Sequence, residues 1–416
     1  MSDPTEIQDL MIVFDAVTGG SVGVAALKQA IPDIINFAAL TDCFERIGVL
    51  AYRNYAYTPE KVIEWSGWCY PSCDPSPPSI DDILQFVQYL EMPDDSEYHS
   101  TTCASKTALA KACQEMRIRS RTIILLYNHA PPMFEHNSGH HYDLEQKSLT
   151  DGYGERGRLF KNWINGATVL AGVTEFVVMA AVLSFSLMSP DNISGDIKEN
   201  ISNWSPYLYL SSTTGADFYR TTYNSRVISR LTIGLLLTWM QADGHINIPQ
   251  AFRIAYRSNP TLLYTASEAN IETFCGPECG NLQTFDTILE PRREVDSNDQ
   301  QLSKFTSRNL ASNYINGSEY HKTVIARHLD RIIRTNVSVI TIHPLFGRLW
   351  AAVCLDRTGN NIKRTLLEKF RAQVEHISNA RDKGQAQNWL EESYTFFHEI
   401  MPEVQKQEEA EQMDVE

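Results

Sequence analysis

Basic residues are scarce in this sequence: 36 lysine and arginine residues stand against 51 aspartate and glutamate residues, which gives a formal net charge of -15. No stretch is rich in lysine and arginine. A nucleic-acid backbone and an anionic membrane surface both require a basic patch, so neither is expected as the main partner. The composition therefore favours a protein partner over nucleic acid, and it leaves the oligomeric state open.

A secretory signal is also not expected. The first residues, MSDPTEIQD, are polar and acidic where a signal peptide would be basic and then apolar. The eight cysteines fit a reducing compartment, where scattered thiols behave as small apolar side chains. Cys69 and Cys73, like Cys275 and Cys279, are separated by three residues where zinc pairs usually have two, which favours isolated thiols. We expect a cytoplasmic protein, with the nucleus as the other location.

One apolar stretch, residues 167–189, is long enough to cross a membrane. Glu175 lies at its midpoint, and a carboxylate there is costly in a single span. A helix over 160–171 followed by a buried strand over 176–186 accounts for the same residues. The sequence therefore predicts no membrane span.

Helical and strand-like patterns alternate over the first 240 residues, which predicts an α/β fold with a doubly wound, Rossmann-like, mostly parallel sheet. The spacing of apolar residues predicts strands over 11–15, 45–57, 62–65, 121–127 and 176–186, and helices over 24–40, 80–91, 105–116, 160–171 and 226–240. Ser79 is the predicted N-cap of the helix over 80–91. A polar, glycine-rich insertion is predicted over 134–157.

The chain exceeds the length at which one core usually stops growing, so more than one domain is expected. We predict a first domain over 1–240, a connecting region with a polar linker over 241–306, and a helical region with an acidic tail over 307–416. The helical spacing of the last region is clearest in HKTVIARHLDRIIRTNV and IKRTLLEKFRAQVEHI.

Polar residues follow three of the predicted strands. Asp15 ends the first strand, Asn54 follows the second, and Asn128 and His129 follow the strand over 121–127. In a doubly wound sheet, the loops at the carboxyl ends of the strands form the crevice where ligands bind. The three loops are therefore expected to meet at one rim.

The order of these motifs resembles a von Willebrand factor A (vWA) domain of the divergent intracellular type found in large fungal proteins. LMIVFD, ALKQAIPDII, RIGVLAYRNY, VIEWSGW, KTALAKA and IILLYNHAPP occur in that order over residues 8–240. The resemblance implies a metal-ion-dependent adhesion site, in which an Asp-x-Ser-x-Ser loop, a threonine and an aspartate hold Mg²⁺ while a partner's carboxylate completes the shell.

Several residues depart from that adhesion-site pattern. Val17 and Gly19 stand where hydroxyl ligands belong, so Thr18 and Ser21 are the candidate substitutes beside Asp15, and His129 stands where an acid belongs. Mg²⁺ prefers anionic oxygen ligands, so the residues predict a degenerate site that binds a divalent cation weakly or not at all. The remaining rim candidates are Asn54, Asp95, Thr101, Thr102 and Asn128, with Asp95, Thr101 and Thr102 as alternatives for the middle ligand.

Three other functions have weaker support in the sequence. A phosphate site at TGGSVG lacks both the lysine and the glycine spacing of nucleotide-binding loops. His136, His140 and His141 with His129 could instead form a zinc or nickel cluster, although solvated loop histidines are commoner. Cys103 beside His99, or Ser66, could act as a nucleophile, but no recognisable catalytic signature surrounds either.

We therefore predict an intracellular interaction or scaffold protein that is not an enzyme and that binds a protein partner through the rim. The rim comprises residues 15–23, 52–58, 92–103 and 128–142. The alternative is a zinc-dependent hydrolase that uses the same rim and its histidines.

Overall fold

The computed structural model describes the strands and helices of the chain outside its two ends and several internal segments. The described residues are 8–17, 21–91, 102–117, 120–173, 177–185, 201–216, 218–221, 223–240, 253–255, 283–284, 310–342, 344–356, 360–377, 380 and 382–391. The chain divides into two compact units: unit 1 comprises residues 1–31, 44–231 and 248–302, and unit 2 comprises 32–43, 232–247 and 303–416. The predicted boundaries at 240 and 306 adjoin or lie within residues outside the described ranges, so they stay predictions.

Four strands near the N-terminus form a mixed, mostly parallel sheet. They are β1 (Gln8–Asp15), β2 (Arg46–Tyr52), β3 (Ile63–Cys69) and β4 (Arg121–Asn128). Their order in the sheet is β3-β2-β1-β4. β1 pairs in parallel with both β2 and β4, whereas β3 is antiparallel to β2. Residues 10–14 of β1 are completely buried, as expected for a central strand covered on both faces.

The same sheet continues beyond β4. β5 (Val177–Phe185) and β6 (Phe218–Thr221) add in parallel, and the short strands β7 (Arg253–Ala255) and β8 (Gln283–Thr284) add in antiparallel fashion. β5 covers the middle of the apolar stretch at 167–189, so the strand predicted there is confirmed. None of the helices in the described ranges combines the length and apolar character that crossing a membrane requires.

Helices connect the strands of the sheet. Within the described ranges, those that begin before residue 240 are α1 (Ser21–Thr41), α2 (Pro59–Val62), α3 (Ile80–Tyr89), α4 (Ser105–Glu115), α5 (Glu135–Ser138), α6 (His140–Asp151), α7 (Gly154–Gly157), α8 (Trp163–Thr168), α9 (Ile201–Thr214) and α10 (Ser225–Trp239). Ser79 caps α3 as predicted, since its hydroxyl accepts from the Asp82 amide and the Asp82 carboxylate accepts from the Ser79 amide.

The C-terminal region is mainly helical, as predicted. Its helices are α11 (Leu310–Asn316), α12 (Glu319–Asn336), α13 (Pro344–Leu355) and α14 (Asn360–Val374), and residues 382–391 are helical as well. Aromatic rings pack inside unit 2, with the ring centroids of Phe37 and Phe346 5.4 Å apart and those of Trp350 and Phe370 4.8 Å apart. Such ring pairs stabilise the fold by more than the burial of their apolar surface alone would contribute.

The α/β class and the mostly parallel sheet are confirmed, and the structure corrects or adds several details. The second strand ends at Tyr52 instead of residue 57, because the chain turns after Asn54, whose carbonyl accepts from the Tyr57 amide. β3 is antiparallel, since only the short helix α2 separates it from β2 and a parallel crossover needs a longer connection. The glycine-rich insertion at 134–157 is largely helical, and the sequence patterns missed α9 and β6.

Candidate functional site

The candidate site lies where the strand order changes direction. From β1 the chain adds β2 and β3 on one side, and it later adds β4 and β5 on the other. In open α/β sheets ligands bind beside the carboxyl ends of the strands at such a switch point. Asp15 ends β1 and Asn128 ends β4, so both lie at this position.

Asp15 and His129 lie side by side at the switch point. The Nδ1 atom of His129 is 3.2 Å from Oδ2 of Asp15, and the Val17 amide donates a 3.0 Å hydrogen bond to Oδ1. The Asp15 side chain is fully buried and that of His129 is 8% exposed. Burial raises the pKa of Asp15, while His129 and the amide of Val17 oppose that rise.

The buried Cys103 thiol and the Tyr52 phenol lie within electrostatic reach of the Asp15 carboxyl, and a second phenol, that of Tyr207, contacts the thiol. The hydroxyl of Tyr207 donates to the carbonyl of Ala130 at 2.9 Å and lies 3.4 Å from Sγ of Cys103. Burial raises the pKa values of Cys103, Tyr52 and Tyr207 well above their ordinary values, and the Asp15 charge adds to the rise for Cys103 and Tyr52. A buried thiol of raised pKa is inert, so the geometry does not support Cys103 as a nucleophile.

The loop after β2 is shaped by its own polar side chains. Oδ1 of Asn54 accepts from the Ala56 amide at 2.9 Å, a bond that closes a turn. The buried guanidinium of Arg53 donates to the carbonyl of Lys61 at 2.7 Å and to that of Glu91 at 2.9 Å, and it pairs with Glu64. Arg53 therefore links this loop to Glu91, two residues after α3 ends.

Only some of the other predicted site residues lie in the described part of the chain. Thr18, Asp95, His99 and Thr101 lie outside the described residues, and Ser21 is the first residue of α1. The third candidate for the middle ligand, Thr102, is buried and accepts a 3.0 Å hydrogen bond from Ser138. His140 and His141 begin α6 with ring centroids 6.4 Å apart, while the side chain of His136 lies outside the described part. The predicted metal and rim residues therefore stay a prediction.

The described residues at this site offer few ligands to a metal ion. Within the described ranges, no group of three or more His, Cys, Asp and Glu side chains is placed to hold an ion. Asp15 and His129 supply one carboxylate and one imidazole, fewer oxygen ligands than Mg²⁺ requires. The described residues thus do not fit a strong magnesium site.

Sequence reasoning missed the aromatic part of the cluster. Tyr52 reads as one more strand residue, and Tyr207 lies in a segment that carried no recognised pattern. Tyr207 comes 77 residues after Ala130, so only the folded chain brings them together. Cys103 was considered, but as a partner of His99 and not of Asp15.

Comparison with known proteins changes the family assignment. No family model matches the chain. The chain is 22% identical over 405 residues to a protein of Acanthamoeba polyphaga mimivirus that is described as an ariadne-like RING finger protein, R811. The alignment covers 96% of this chain and 36% of the mimivirus protein, so the chain spans about a third of that relative's length.

The resemblance to fungal vWA proteins with a degenerate adhesion site is therefore wrong. The motifs behind it are short apolar strands and helices that any parallel α/β sheet requires, whereas the mimivirus similarity extends over nearly the whole chain. The RING finger in the relative's name is not assigned to this chain. RING fingers bind zinc through cysteine and histidine, and none of the six described cysteines belongs to a metal-binding group within the described ranges.

Proposed function

We propose that this chain is a protein-binding scaffold module whose partner contacts the rim at the carboxyl ends of β1, β2 and β4. One observation carries the proposal: the buried Asp15–His129 pair lies at the switch point of the sheet, the usual ligand position. The polar groups around it shape loops, since Asp15 holds the Val17 amide and Asn54 holds the Ala56 amide. Polar side chains that fix the shape of the rim loops support a protein-binding surface better than a catalytic centre.

The proposal includes a doubly wound, Rossmann-like fold for unit 1. The order β3-β2-β1-β4-β5-β6 supports it, because it is the order of the dinucleotide-binding folds. The antiparallel β3 is the one departure among these six strands. The proposal does not include a nucleotide, because the loop after β1 lacks a phosphate-binding fingerprint.

A divalent cation is at most a weak ligand of this module. Asp15 is the anionic side chain that would hold it, with His129 as its neighbour. Burial raises the pKa of Asp15, which favours the protonated carboxyl and so opposes ion binding. The zinc hydrolase remains an untested alternative that no specific contact among the described residues favours.

Site-specific photocrosslinking of the full chain tests the scaffold proposal. The crosslinker replaces Val22, which is 63% exposed beside the rim, or Tyr70, which is 39% exposed after β3 at the opposite edge of the sheet. We expect one protein to be crosslinked from position 22 and not from position 70. The purified partner should then bind the chain at a 1:1 ratio and bind the Asp15→Asn variant more weakly.

The same preparations separate the two functional classes. Turnover of ester or phosphate substrates with added zinc, abolished in His129→Ala, would replace the scaffold by the hydrolase. Equal crosslinking from positions 22 and 70 would contradict the rim as the partner's surface.

A further inference from the structure

Helix α4 begins without a capping side chain of its own. The residue before it is Ala104, which cannot accept a hydrogen bond through its side chain. The Glu145 carboxyl of α6 takes that place: Oε1 accepts from the amide and from the hydroxyl of Thr107, both at 3.3 Å. Accepting a first-turn amide is the task of an N-cap side chain, here performed from 38 residues away.

A buried lysine faces the same carboxyl. Nζ of Lys106 is 3.6 Å from Oε2 of Glu145, which is an ion-pair distance beyond an ordinary hydrogen bond. The two side chains are 1% and 0% exposed, and Nζ makes no hydrogen bond within the described residues. The rings of Tyr142 and Phe134 lie 4.8 Å and 5.8 Å from Nζ. Contacts of this kind stabilise a buried ammonium group.

The contacts around Glu145 continue to the rim. The hydroxyl of Tyr55, next to Asn54 in the loop after β2, lies 3.0 Å from Oγ1 of Thr107. Ser138 of α5 donates to Thr102, three residues before α4 begins. The loop after β2, the start of α4 and the helices after β4 are therefore joined around one carboxyl group.

We propose that the N-terminus of α4 is a carboxyl-binding site that the chain fills with its own Glu145, and that this carboxyl latch holds α6 in place beside the rim. The carboxyl latch comprises Lys106, Thr107 and Glu145. Its release frees residues 140–151 as a local opening that leaves the central strands intact. The latch requires no partner, so its test does not depend on the scaffold proposal.

The chemistry of the pocket suits a carboxyl group. Burial raises the pKa of Glu145, while Lys106 and the two Thr107 bonds lower it. The Tyr55 and Tyr153 hydroxyls and the Cys103 thiol also lie within electrostatic reach of this carboxyl. A small carboxylic acid of similar shape is thus the ligand that the vacated site would take.

Hydrogen exchange of the full-length Glu145→Ala variant, with and without formate, tests the latch. We expect the amides of Thr107 and of residues 140–151 to exchange about tenfold faster or more, as the loss of a hydrogen bond to a carboxyl group implies. Amides of β1 and β4 should keep their protection. Formate should slow the exchange of the same amides by filling the vacated position.

Three further variants make the result decisive. Asp143→Ala removes an exposed carboxylate from the same helix. The amides of Thr107 and of residues 140–151 should exchange no faster in this variant, and formate should not change their exchange. Glu145→Gln keeps an acceptor for the Thr107 amide. In this variant the amides of Thr107 and of residues 140–151 should keep their protection, and formate should not change their exchange. Thr107→Val keeps the amide donor and removes the hydroxyl, which contacts both Glu145 and Tyr55. The amides of residues 140–151 should then exchange faster, though less so than in Glu145→Ala, and this variant gives a result even if Glu145→Ala does not fold.

The proposal is overturned by any of three results. The first is unchanged exchange over 140–151 in both Glu145→Ala and Thr107→Val. The second is a loss of protection in β1 and β4 as large as that over 140–151. The third is an effect of formate on Asp143→Ala as large as its effect on Glu145→Ala.

Discussion

His129 Nδ1 lies 3.2 Å from Asp15 Oδ2, although 114 residues separate the two side chains in the sequence. The pair provides one carboxylate, so added Mg²⁺ or Mn²⁺ should move the midpoint of thermal unfolding little. An ion that binds only the native state at a hundred times its dissociation constant would add about 2.7 kcal/mol. A shift of several degrees that Asp15→Asn abolishes would contradict this prediction.

The pH dependence of stability should reveal the buried Glu145. Because burial raises its pKa, the native state keeps the proton at pH values where the unfolded chain has lost it. Its stabilising contribution is therefore complete below the ordinary glutamate pKa and is lost as pH rises through the native value. Relative to Glu145→Gln, the wild type should lose stability in urea unfolding as the pH rises above the ordinary glutamate pKa. A difference that grows with pH would show that Lys106 outweighs burial.

The carboxylate of Asp9 should be the most costly charge to remove. It is buried and accepts from Arg46 at 2.6 Å and from Arg117 at 2.6 Å. Asp9→Ala leaves the buried guanidinium of Arg46 unpaired, and we expect a loss of about 3–5 kcal/mol in urea unfolding. The matched control is Glu45→Ala, whose 41% exposed side chain also pairs with Arg117 and should cost about 0–1 kcal/mol. Equal losses would contradict the buried network.

Thiol reactivity should separate the described cysteines by burial. Cys73 is exposed, whereas Cys69, Cys103 and Cys113 are buried, and burial raises the pKa of Cys113 to about 11. Mass mapping after brief alkylation of the native protein should find Cys73 modified and the three buried thiols intact. In denaturant all four should react. Modification of native Cys103 would reopen the question of a nucleophile.

The cap of α3 offers a local test of the fold. Ser79→Ala removes the 3.2 Å bond to the Asp82 amide, and we expect a loss of about 1 kcal/mol in the free energy of unfolding. Ser72→Ala, at an exposed position in the same loop, should change little. A loss from Ser79→Ala no greater than the control's would mean that the cap adds nothing in solution.

The sequence by itself determined the elements whose cause is local. Continuous apolar runs such as residues 10–14 specify buried strands, because a strand covered on both faces must be apolar throughout. Ser79 and Asp82 specify the start of α3 through bonds that span three residues. The acidic composition likewise sets the surface charge, whatever the fold.

Tertiary structure alone decided the contacts that form the candidate site. The antiparallel direction of β3 follows from the short connection after β2, and the pairing of Asp15 with His129 follows from β4 lying next to β1. Glu145 caps α4 because folding brings α6 against its first turn. Such contacts join residues far apart in the chain, and sequence periodicity reports only which side of an element is buried, not which distant group it meets.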